Sequence, residues 1–122
     1  MKTSELSGPA LRAFFRIAEA WELTDVEVGA LLGSPRPETL ADWRSGSAVL
    51  DEMALTRISL VLGIYKALAQ LVGGHEQMRR WLDSPNRGPC LEGQCARRFI
   101  ASGRLQALRS LRDYLDAQFE WG

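Results

Sequence analysis

The sequence predicts an all-α protein, a small helical bundle, and three observations carry that expectation. Apolar residues recur at three- and four-residue intervals through every substantial segment. Helix-start and helix-stop residues bracket those segments. No alternating apolar pattern reaches a useful strand length. The chain has 122 residues, 46% of them apolar, enough for one packed domain or for two small ones sharing a core.

Ser7 and Pro9 read as the cap and first turn of an opening helix, whose apolar face holds Leu11, Phe14, Phe15, Ala18 and Trp21. Thr24-Asp25-Val26-Glu27 is a capping box, in which the Thr24 hydroxyl and the Glu27 carboxylate each accept from the other's backbone amide. It opens a short helix with Val28, Leu31 and Leu32 facing inward and Gly33 at its end. Pro35 and Pro37 confine the start of the next helix, which runs through Leu40 and Trp43 to Ser45-Gly46.

Asp51 is a good N-cap for a long helix striped by Met53, Leu55, Ile58, Leu62, Tyr65, Leu68 and Val72, and Gly73-Gly74 ends it. His75 to Leu82 forms a short helix broken by Pro85. Glycine and proline make residues 87–93 a loop. Ala96 to Ala101 resumes as helix, Gly103 caps it, and Arg104 to Phe119 is the last helix. The expected organisation is a helix-turn-helix region at 1–50, a long connecting helix at 51–74 and a C-terminal helical domain at 75–122.

The charges balance at fifteen of each sign but not along the chain. Residues 1–60 carry six basic side chains against nine acidic, and residues 61–122 carry nine against six. An acidic partner therefore suits the rear half. No uninterrupted apolar run reaches the roughly eighteen residues of a bilayer span, and no signal pattern opens the chain. The two cysteines, Cys90 and Cys95, read as reduced thiols of a cytoplasmic protein with no membrane partner.

Catalytic and cofactor chemistry find no foothold. His75, Cys90 and Cys95 offer three metal ligands where a structural zinc site takes four, at looser cysteine spacing than such sites use. No third group marks a Cys-His nucleophilic pair, and no strand precedes a glycine-rich phosphate loop. No metal, no cofactor and no enzymatic activity are expected.

The helix–Gly33–helix unit predicts a DNA reader, with Leu31, Leu32, Leu40 and Trp43 packed on Phe14 and Phe15 and the outer face of the second helix free for the major groove. That face carries Arg36, Glu38, Thr39, Asp42 and Arg44; DNA contact falls on Arg36, Thr39 and Arg44. A structural helix pair is the other reading, favoured by Glu38 and Asp42, which face phosphates unfavourably. In the last helix, Leu105, Leu108, Leu111, Leu115 and Phe119 form a stripe surrounded by Arg97, Arg98, Arg104, Arg109 and Arg112. Arginines and chain-end aromatics favour interfaces, so partner contact falls on Arg97, Arg98, Arg112, Phe119 and Trp121.

Trp81-Leu82, then Pro85-Asn86, a glycine seven residues later at Gly93, a short helix ending at Gly103 and a final amphipathic helix together resemble the Xre/MbcA/ParS toxin-binding antitoxins. Leu31-Leu32-Gly33 through Trp43-Arg44-Ser45-Gly46 resembles the Xre-like helix-turn-helix that such antitoxins carry. The resemblance implies a cytoplasmic antitoxin that binds and occludes a RES-domain, NAD-consuming toxin and represses its own operon at operator DNA. It places toxin contact on Trp81–Asn86 and on the tail from Leu115 to Gly122. A homodimer within the toxin–antitoxin complex is expected, because paired half-sites raise the affinity of helix-turn-helix readers. The alternative function is a protein-binding adaptor or transcriptional regulator without a toxin partner.

Overall fold

The computed structural model describes residues 3–46, 49–86 and 91–120, with side chains from Ser7 to Phe119 within those spans. Seven helices and no strands occur among them: α1 (Thr3–Ala20), α2 (Asp25–Leu31), α3 (Pro37–Ser45), α4 (Glu52–Val72), α5 (His75–Asp83), α6 (Ala96–Ile100) and α7 (Leu105–Glu120). The all-α expectation holds, and so do most of the local start and stop signals. The Thr24 Oγ1 accepts from the Glu27 amide at 3.1 Å, and Glu27 Oε1 accepts from the Thr24 amide at 2.8 Å. Asp51 Oδ1 caps α4 through the Ala54 amide at 2.8 Å.

The first helix departs from expectation. It begins at Thr3, so Ser7 and Pro9 lie inside it. Ser7 is buried, and its hydroxyl accepts from the Leu50 amide at 2.9 Å. The hydroxyl expected to cap α1 is instead committed to a residue forty-three positions away, and it secures the approach to α4.

Helix α4 is the axis of the bundle, packed chiefly between α7 and α1, with α5 against its C-terminal end. Its buried line is Ala54, Ile58, Val61, Ile64, Ala67 and Leu68. Of the expected stripe only Ile58 and Leu68 are fully inside, whereas Leu55, Leu62, Tyr65 and Val72 flank the core and Met53 is exposed. The reason is that α4 is contacted from both sides, so its apolar surface is wider than one stripe. By length and composition α4 could cross a membrane; here its apolarity goes to the centre of the bundle.

The core is a single apolar cluster drawing on all the helices but α3: Phe14 and Trp21 of the front, Ile64 and Leu68 of the axis, and Leu82, Ile100, Leu108 and Leu115 of the rear are all within it. Three arginines reinforce this continuity by closing helix ends across the fold. Arg79 of α5 donates to the Ala20 carbonyl at 2.8 Å, Arg97 of α6 to the Trp21 carbonyl at 2.6 Å, and Arg57 of α4 to the carbonyls of Leu31 at 3.4 Å and Gly103 at 2.8 Å. The last carbonyls of a helix lack intrahelical donors, and a guanidinium supplies them with charge-assisted ones.

Candidate partner-binding site

The Trp81–Asn86 segment folds as the end of α5 and the base of a closed loop. Leu82 is buried, and half-buried Trp81 packs on the core. The Ser84 hydroxyl donates to the Arg80 carbonyl at 2.6 Å and turns the chain out of the helix. Pro85 then pairs with Cys95 in an isolated antiparallel bridge, the Asn86 amide donates to the Gln94 carbonyl at 3.3 Å, and the Gly93 amide donates to the Asn86 carbonyl at 2.8 Å. Gly93 sits at φ 92°, where a side chain would be strained, which explains a glycine at that spacing from Asn86. Cys95, a free thiol, is the N-cap residue of α6. Cys90 lies outside the described residues.

The expected contact residues do not share one environment. Arg98 of α6 and Phe119 of α7 are exposed, and Arg98 makes no ion pair among the described residues. Arg97 points inward. Its side chain is only 17% exposed, and it pairs with Asp83 of α5 and, at 3.6 Å, with Glu27 of α2, besides donating to the Trp21 carbonyl. A guanidinium with three partners is fixed within the fold, so Arg97 does not offer the exposed cation that its neighbour Arg98 does. Arg112 is partly buried. It reaches Asp116 one turn on, at 3.4 Å, and lies over Gly63, where a Cβ would collide with its head group. Trp121 lies outside the described residues.

In the front region, α3 buries none of its residues. Arg36 is its exposed N-cap residue, with no side-chain capping bond, and Thr39 is half-buried. Leu40 and Trp43 only border the core, so α3 rests on the front helices more lightly than the sequence implies. Arg44 pairs with Asp25 at 3.1 Å and lies over the Phe15 ring, 5.0 Å from its centroid, and is thus held toward α1 and α2. Among the described residues no group of His, Cys, Asp and Glu could hold a metal ion; exposed His75 instead shares a 2.8 Å hydrogen bond with the Tyr65 hydroxyl.

Comparison with known proteins bears on the rear helices. The model of the antitoxin Xre/MbcA/ParS C-terminal toxin-binding domain matches residues 67–120. A protein of Sinorhizobium fredii (strain NBRC 101917 / NGR234), titled "Uncharacterized protein y4oB", is 36% identical over 108 residues, covering 88% of this chain and 82% of its own length. The chain belongs to this antitoxin family. The toxin-binding domain takes in the C-terminal end of α4, the closed loop and helices α5 to α7, so it shares its core with the rest of the molecule.

Sequence reasoning missed two groups. One is the set of arginines that close helix ends, because their partners are carbonyls of distant elements. The other is Arg12 and Arg16 of α1, exposed one turn apart beside α3. Their spacing was legible; their neighbour across the groove, Arg44, was not.

Proposed function

We propose that this chain is a cytoplasmic antitoxin that neutralises a RES-type, NAD-consuming toxin by binding it directly and occluding its active site, and that as a dimer it represses its own operon. No catalysis by the chain is involved. The observation that carries this reading is the match of the toxin-binding domain to residues 67–120, the stretch that presents Arg98 and Phe119 outward on adjoining helices. An exposed apolar side chain and an exposed guanidinium on one domain are residue types that protein interfaces favour. Contact with toxin thus falls on Arg98 and Phe119, and on Arg112 and Trp121. Residues 1–50 supply the DNA-reading part through Arg36 and Thr39 at the start of α3, on a fold in which 51–74 and 75–122 complete the core.

Co-expression with the product of the neighbouring gene, following growth and cellular NAD, tests this. The neighbour alone is expected to deplete NAD and arrest growth, and this chain to restore both. A harmless neighbour, or one that this chain leaves active, overturns the reading. A second reading, a protein-binding adaptor that touches no DNA, is favoured by exposed Glu38 and Asp42 on α3; such an adaptor binds its own upstream DNA at no salt concentration.

A further inference from the structure

Between α1 and the C-terminal end of α3 lies an open groove of about 360 Å³. Arg12 and Arg16 stand along one wall and Arg44 on the other, with Phe15 and Trp43 between them and Glu19 as the only carboxylate of the lining among the described residues. Arg12 and Arg16 are exposed and form no ion pair among the described residues. They are one helical turn apart, about 6 Å along the axis. The Phe15 ring holds the head of Arg44, so that one of the three cations is already positioned. The front half of the chain is acidic as a whole, yet the three guanidinium groups of this groove outnumber the carboxylates that meet them, Glu19 of the lining and the Asp25 that pairs with Arg44, and make a local positive site in a negative region.

We infer that this groove binds the sugar–phosphate backbone of nucleic acid and is the non-specific part of the DNA contact. The inference rests on the DNA-reading function proposed above and deepens it. Guanidinium forks match phosphate oxygens two at a time, and phosphate contacts fix register while base edges are read elsewhere. It also gives the acidic outer face of α3 a physical account. Glu38 and Asp42 can face base amino groups, as carboxylates do with cytosine, if the attraction to phosphate comes from α1 alongside.

The test is binding of the full chain to its own upstream DNA, titrated from low salt to 0.3 M, for the wild type, R12Q/R16Q, R12K/R16K and the charge-matched rear control R104Q/R109Q. R12Q/R16Q is expected to bind on the order of tenfold or more weakly at 0.1 M salt, equally for specific and unrelated sequences. Its plot of log affinity against log salt should be shallower by about two. R12K/R16K should keep the wild-type slope, and R104Q/R109Q both slope and affinity. Circular dichroism and thermal melting verify that each variant is folded; the exposed positions of Arg12 and Arg16 lead us to expect that they are. A wild-type slope in R12Q/R16Q overturns the groove and leaves the DNA reading standing. A wild type that binds no DNA at low salt overturns both. Loss of toxin neutralisation in R12Q/R16Q, with DNA binding intact, assigns the groove to an acidic protein segment and overturns the inference.

Discussion

Helices α3 and α6 are both short, both end-capped by position rather than by a side-chain bond, and both carry an arginine that pairs with α2. They serve the fold in opposite ways. Helix α3 buries no residue, and its Arg44 is 44% exposed on an Asp25 that is 94% exposed. Helix α6 buries Ala96 and Ile100, and its Arg97 is 17% exposed against a Glu27 that is 18% exposed. The first pair sits in water and is screened; the second has lost most of its water and depends on both partners. A short helix can therefore be a displayed surface or a keystone, and the surroundings of one guanidinium separate the two cases.

The sharpest way to break that contrast is Arg97→Met. It leaves the Trp21 carbonyl without its donor and the half-buried Glu27 carboxylate without its cationic partner, and a loss of about 2–3 kcal/mol is expected in urea unfolding; a loss below about 0.5 kcal/mol would place α6 with α3. Gly103→Ala comes next. Gly103 has φ 78°, and an added Cβ would stand 3.1 Å from the Ala30 carbonyl oxygen, where α2 meets the α6–α7 turn. Thermal unfolding should show a loss of about 1–2 kcal/mol, whereas unchanged stability would mean that the turn yields freely. The smallest effect belongs to Arg44→Ala, under about 1 kcal/mol for an exposed pair and an exposed ring contact. Raising the salt should erase part of it, and a larger, salt-insensitive loss would make α3 as integral as α6.

The same contrast marks what the sequence discloses. Thr24 with Glu27, and Asp51, act on neighbours within a turn or so, and each does in the fold what its local pattern implies. Ser7 does not, because its partner amide is at Leu50. Arg97 and Arg98 are adjacent and alike in pattern; which of them turns inward is decided by Asp83, Glu27 and the Trp21 carbonyl, three groups that meet only once the bundle is closed. The groove of Arg12, Arg16 and Arg44 was hidden for the same reason: half of it is periodicity on one helix and half is the placement of another. Phe119, by contrast, announced its exposure through its distance along a helix that runs past the core.

The arginines that close α1 and α2 also set an order in time. The donors for the ends of those two helices lie downstream of their carbonyls by 26 residues at Arg57, 59 at Arg79 and 76 at Arg97. A ribosome adding roughly 5–20 residues per second makes Arg97 about 4–15 s after Trp21. Within that interval α2 and then α4 are added, while the carbonyl end of α1 still waits for its guanidinium. The part of the molecule that is synthesised first is thus completed last, and the front helices take their final shape only when the toxin-binding domain has emerged.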